Sequence, residues 1–71
     1  MKLRLRELRN ENGYTQDYLA KYLSIKQNTY SQYESGVREI PLECVCLLAK
    51  LYDTSIDYIL NLTDDERHYR K

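Results

Sequence analysis

Thr-Gln-Asp-Tyr-Leu-Ala-Lys-Tyr-Leu-Ser-Ile-Lys-Gln-Asn-Thr-Tyr-Ser-Gln-Tyr-Glu-Ser-Gly, residues 15–36, reads as two short helices joined by a tight turn. Thr15 is placed to cap the first helix, because its hydroxyl oxygen can accept a hydrogen bond from a free backbone N–H of the opening turn. Asp17 adds negative charge near that positive helix end. Leu19, Ala20 and Leu23 form one apolar stripe, and Ser24-Ile25 makes the turn. The second helix runs from Gln27 to Ser35, with Tyr30 and Tyr33 on one face and Gln27, Asn28, Ser31 and Gln32 on another. Gly36 suits the left-handed position that ends a helix, where a side chain would clash.

A helix with amides outside and aromatics inside fits the DNA major groove. Gln and Asn each carry a donor and an acceptor on one planar group, so each can bond an adenine edge bidentately. At the first turn of the second helix of such a pair, they reach base edges. The same pattern also describes an ordinary solvated face, and residue types alone leave both readings open.

The matching residues extend further. Thr15-Gln16, Leu19-Ala20, Leu23, Ile25, Thr29, Ser31, Tyr33-Glu34 and Gly36 are followed by Ile40-Pro41-Leu42-Glu43, Leu48-Ala49 and Tyr52. Ser55-Ile56-Asp57-Tyr58-Ile59-Leu60 and Leu62-Thr63-Asp64 complete the set. Together they resemble the Cro and phage-repressor type of helix-turn-helix family, the XRE-like group, over about residues 3–64; the motifs are specific as a set and weak singly. The resemblance implies an all-α, compact five-helix, lambda-repressor-like DNA-binding domain over residues 1–64, with a polar tail at 65–71.

It also implies roles. Gln27, Asn28 and Gln32 are the expected base-reading residues. Gln16, Lys26, Thr29, Ser31 and Arg38 are expected at the DNA backbone or in mixed contacts. Arg9 and Glu34 occupy the places of a structural ion pair that ties the first helix to the third. The chain departs from the family pattern in three places. Ser24 stands for the customary turn glycine, and a left-handed serine costs about 1 kcal/mol. Lys26 stands where a capping serine is customary, and Tyr30 replaces an isoleucine-like core residue, so its hydroxyl needs a partner.

With 71 residues there is room for one domain and a small core. Charged residues at 31% and apolar ones at 42% make a globular rather than a disordered mix. No apolar run approaches a membrane span, and Met1-Lys2-Leu3-Arg4-Leu5-Arg6 lacks the apolar block of a secretory signal, so a cytoplasmic protein is expected. Net charge is zero but unevenly spread. Residues 1–38 hold seven Lys/Arg against four acids, net +3; residues 39–71 hold four against seven, net −3. Such a dipolar domain can present a positive face to phosphates.

Outside the central pair, residues 2–11 read as a first helix with Leu5 and Leu8 on one face, ended by Asn12-Gly13. Asn-Gly is also a hairpin signal, but helical periods flank it. Ile40-Pro41 opens a fourth helix, in which Leu42, Val45, Cys46, Leu48, Ala49 and Tyr52 can form one face. Leu47 and Leu51 fall outside that face and are candidates for a subunit contact. Ser55 caps a fifth helix over 56–60, and Asn61 follows in a left-handed turn.

Catalysis finds no support. The single histidine, His68, lies in the tail, and no nucleophile–base pair can be named. Cys44 and Cys46 point in different directions on a helix and lack the companions of a metal site, so no metal and no cofactor are expected. The expected partner is double-stranded DNA with a palindromic operator, read by a homodimer whose subunits meet through the fifth helix and the end of the fourth while the third stays free, with no membrane and no small-molecule ligand. The alternative is a protein-interaction module on the same fold, antitoxin- or adaptor-like, using the tyrosine ridge of Tyr14, Tyr18 and Tyr22.

Overall fold

A computed structural model of the chain describes residues 3–65. Five helices follow in order: α1 (Leu5–Glu11), α2 (Gln16–Tyr22), α3 (Gln27–Ser35), α4 (Leu42–Tyr52) and α5 (Ile56–Ile59), with no strand among the described residues. Of the helix expected at 2–11, residue 2 lies outside the described residues, as do His68 and the tail from 66 on; Leu3 and Arg4 are described and stand before α1, which begins at Leu5.

Local chemistry sets each boundary. Thr15 and Ser55 are extended and accept hydrogen bonds from the backbone N–H of Tyr18 and Tyr58, both at 3.0 Å, which starts α2 and α5. Gly13 (φ +72°) and Gly36 (φ +83°) end α1 and α3 in the left-handed region. Asp53 and Asn61 take the same conformation after α4 and α5, and Ser24 takes it in the turn between α2 and α3 (φ +59°). Lys26 precedes α3 with no side-chain cap, as its chemistry dictates. Pro41 sits just outside α4, where its missing N–H is not needed.

The core is one cluster drawn from every helix: Leu5 and Leu8, then Leu19, Ala20 and Leu23, then Tyr30 and Tyr33, then Cys44, Val45, Leu48 and Ala49, and Ile59. The expected face of α4 is corrected in two respects, the first being that Leu51, expected outside it, is half-buried and packs against the core. Cys44, not Leu42, turns inward, because the buried residues 44, 45, 48 and 49 centre the stripe one step further round the helix. Leu42, at the stripe's edge in the first turn, is 66% exposed. Cys46 and Leu51 are half-buried and Leu47 is exposed. Both cysteines are free thiols.

One contact closes the chain on itself. The Arg4 backbone N–H, just before α1, donates to the Ile59 carbonyl at 2.9 Å. The Arg4 guanidinium donates through Nε to the Tyr58 carbonyl (3.0 Å) and through Nη2 to the Thr63 carbonyl (3.2 Å) and the Asp64 carboxylate (2.9 Å). It also lies 4.3 Å from the centre of the Tyr58 ring. α5 has only four residues, too short to hold its shape alone, so this clasp and the buried Ile59 fix it against α1.

Candidate nucleic-acid interface

α3 is amphipathic in an unusual way: its buried side is aromatic and its outer side is amide. Tyr30 has no exposed surface and Tyr33 very little. Gln27, Asn28, Ser31 and Gln32 recur at i, i+1, i+4 and i+5, so they share the face opposite those rings. Gln27 and Asn28 are exposed, Ser31 and Gln32 half-buried, and none of the four side chains is turned into the core. Thr29 is half-buried, Lys26 is exposed before the first turn, and Arg38 is exposed in the loop after Gly36.

Glu34 locks the far end of α3 in place. Arg9 grips it bidentately, with Nε 2.7 Å from Oε2 and Nη2 3.2 Å from Oε1. Its remaining Nη1 donates to the Tyr14 carbonyl at 3.2 Å. The Gln16 amide nitrogen donates to Oε1 at 3.1 Å, and Arg6 Nε stands 3.5 Å from the same oxygen. The Glu34 side chain is enclosed, though shallowly, since its neighbour Arg6 is mostly in solvent. Burial pushes the Glu34 pKa up, but the hydrogen bonds from Arg9 and Gln16 and the nearby Tyr30 hydroxyl outweigh it, leaving the carboxyl below its ordinary value. Arg9 is raised in turn, first by its hydrogen bond to Glu34 and against its own burial.

The Tyr30 hydroxyl lies close enough to Glu34 to interact electrostatically, yet no partner meets hydrogen-bond geometry. Burial first, then Glu34, raises its pKa well above the usual phenol range. Tyr52 behaves alike, with an unpartnered buried hydroxyl and a raised pKa. The tyrosine ridge along α2 makes contacts within the fold while Tyr18 and Tyr22 stay exposed. Tyr14 stacks on Tyr18 with ring centres 4.6 Å apart, and the Tyr22 hydroxyl donates to the Leu47 carbonyl at 3.0 Å.

Sequence reasoning missed three of these contacts. Gln16 was expected at the DNA backbone; its amide is also a donor to Glu34. Arg6 precedes Arg9 by three residues on the same helix face, a spacing that could have placed both beside Glu34. Nothing local pointed to the Arg4 clasp, whose partners lie more than fifty residues away. No group of His, Cys, Asp or Glu that could hold a metal ion occurs among the described residues, and no described helix is long and apolar enough to cross a membrane.

Residues 5–59 match the family model described as helix-turn-helix. An uncharacterized HTH-type transcriptional regulator of Bacillus subtilis, YobD, is 45% identical over 62 residues, covering 87% of this chain and 55% of its own. The HTH-type transcriptional regulator AnsR of the same organism is 44% identical over 57 residues, 80% of this chain and 49% of AnsR. ImmR, another HTH-type transcriptional regulator from that species, is 40% identical over 57 residues, 80% of this chain and 45% of ImmR. The chain thus spans about half the length of the curated relatives it matches. No solved structure matches it. With the α2–turn–α3 unit, the capped and glycine-ended helices and the matched span in agreement, the chain belongs to the helix-turn-helix family, of the Cro and phage-repressor type.

Proposed function

We propose that this chain is a sequence-specific DNA-binding transcription regulator, acting as a repressor by laying α3 in the major groove of promoter DNA. The observation that carries the reading is the division of α3. Tyr30 and Tyr33 anchor it inward, while Gln27, Asn28 and Gln32 stand on the opposite face with their donor–acceptor pairs available. Lys26, Thr29, Ser31 and Arg38 flank that face and serve phosphates or base edges; Gln16 adds a side-chain amide beside it. The names of the relatives, HTH-type transcriptional regulators, support the same assignment.

One such domain reads only a few base pairs. A two-fold homodimer on a palindromic site, with half-sites about one helical turn apart, supplies the rest. α5 and the end of α4 make the subunit contact in this reading, leaving α3 free. The protein works in the cytoplasm and catalyses no reaction. The alternative of a protein-interaction module is not favoured, because the relatives are named as HTH-type transcriptional regulators.

The test is selection of bound duplexes from a random pool by the purified chain. A recurring motif of a few base pairs is expected. A pool that shows no enrichment after repeated rounds, at low salt as well, overturns the reading.

A further inference from the structure

Six large apolar side chains are exposed among the described residues, and three of them, Tyr18, Tyr22 and Leu47, gather where α2 meets α4. Tyr18 and Tyr22 stand one turn apart on the same side of α2. The Tyr22 hydroxyl donates to the Leu47 carbonyl at 3.0 Å, which ties its ring to α4. Tyr18 stacks on Tyr14, with ring centres 4.6 Å apart, and Tyr14 leans in turn on Tyr52. These rings are held in place before anything touches them, so little side-chain freedom remains to be lost on contact.

Leu47 has charged neighbours along its own helix. Glu43 lies four residues before it and Lys50 three residues after it, so both stand in line with it on the outer side of α4. Both are exposed, and neither has an ion-pair partner among the described residues. The charges on the neighbouring helix are different: Asp17 and Lys21 of α2 pair with each other at 3.2 Å. The outer row of α4 therefore runs from a free anion through a leucine to a free cation. At about 1.5 Å of rise per residue, the anion lies about 6 Å and the cation about 4.5 Å from Leu47 along the helix. A half-turn about an axis at Leu47 brings anion opposite cation at both ends, within about 1.5 Å of register.

We propose that this face, α4 from Glu43 to Lys50 flanked by Tyr18 and Tyr22 of α2, is a self-association surface. Its occupant is the same face of a second copy, with the two α4 helices antiparallel about a two-fold axis at Leu47. Leu47 meets the partner's Leu47 at the centre, and Glu43 and Lys50 pair with the partner's Lys50 and the partner's Glu43 at the ends. An identical copy supplies the matching order of charges by symmetry alone, which a foreign partner does not. The surface goes beyond the α5 contact proposed above and adjoins it only at Lys50, in the last turn of α4. None of its residues belongs to α3, and it does not depend on the DNA reading. One leucine and two tyrosines from each copy make a small interface, so the association is weak, between about 10 µM and about 1 mM.

Sedimentation equilibrium across that concentration range, at low salt, tests it. The wild-type mass is expected at least to double, from monomer to dimer or, with the α5 contact already closed, from dimer to tetramer. Glu43→Lys leaves two cations on the face and Lys50→Glu leaves two anions. Each should weaken the step about tenfold or more, because attraction at both ends becomes repulsion. Mixed one to one, the two variants should associate as the wild type does, since each supplies the charge that the other lacks. The double variant Glu43→Lys/Lys50→Glu should do the same alone. A misfolded variant could not be rescued by mixing, so recovery reads the surface and not the fold. A wild type that keeps one mass throughout, a step that neither single variant weakens, or single variants that stay apart when mixed overturns the surface. Each of these outcomes leaves the DNA reading to the duplex selection.

Discussion

Arg9 and Glu34, twenty-five residues apart, form a two-pronged ion pair that joins α1 to α3 from beneath the amide-bearing face. The carboxylate has no exposed surface, so removing the arginine leaves an enclosed charge with only the Gln16 amide and the more distant Arg6 to meet it. Breaking such a pair from one side costs about 3 kcal/mol, whereas a solvated surface pair is worth under about 1. Arg9→Ala should therefore lower the melting temperature by about 15 °C for a chain of this size, and the exposed Lys50→Ala by about 2 °C or less. Thermal melts by circular dichroism decide it. Equal shifts in the two variants would mean that the pair bridges nothing.

The same carboxylate makes stability depend on acid. Glu34 titrates below its ordinary value of 4.5, so between the two the unfolded chain binds the proton that the folded chain refuses. Stability from this group is complete above the unfolded value and drains away as pH falls through the folded one. Glu34→Gln removes that dependence along with the charge. Denaturant melts should show the wild type ahead of the variant by a constant margin above about pH 6, and the margin should shrink as pH drops below about 4. A margin that widens on acidification contradicts the assignment.

Arg4 would pass for a surface residue in the sequence, since it alternates with leucines at the start of the chain. The structure makes it a clasp. Its three charge-assisted hydrogen bonds and its place over the Tyr58 ring hold the segment from α5 to Asp64. Arg4→Ala should cost about 2 kcal/mol, and Arg4→Lys should recover less than half, because an ammonium cannot reproduce the fork. Amide hydrogen exchange should accelerate at Ile59 and Leu62 before it does in α2. Uniform acceleration through the molecule would remove the clasp from the account.

How much of this was legible follows from where each signal resides. The boundaries of α2 and α3 are written locally, in Thr15, Ser24 and Gly36, because caps and left-handed turns depend on a residue and its near neighbours. The Arg9–Glu34 bridge came from resemblance, since spacing alone does not say which distant charges meet. Leu42 was misplaced because α4 is apolar on more than one side, so several stripes could have been the inner one. The Arg4 clasp and the Gln16–Glu34 bond were illegible, being set by how α1, α2 and α5 converge in space.

Ser24 gives a test of the strained turn between α2 and α3. At φ +59° its Cβ crowds the backbone, which costs about 1 kcal/mol in an L-residue. Glycine relieves that but loosens the unfolded chain by about 0.5 kcal/mol. Ser24→Gly should then raise the melting temperature by about 2–4 °C, while Ser24→Val, branched at Cβ, should lower it. The opposite order would show that the serine hydroxyl, not the backbone, governs the turn.

The amide face is tested by specificity rather than strength. Once a motif has been selected, Gln27→Ala and Gln32→Ala should each weaken binding to it by about 1–3 kcal/mol, roughly 5- to 150-fold. Binding to unrelated duplexes should hardly change, because neither side chain carries charge and phosphates provide the sequence-independent part. Repeating the selection with each variant should relax preference at one or two adjacent positions and keep the rest of the motif. Lys26→Ala should do the reverse, weakening all duplexes alike and flattening the salt dependence by about one phosphate. If instead both glutamine variants return the wild-type motif at full stringency, the amides of Gln27 and Gln32 are not what reads the bases, and Asn28 and Ser31 on the same face become the residues to exchange next.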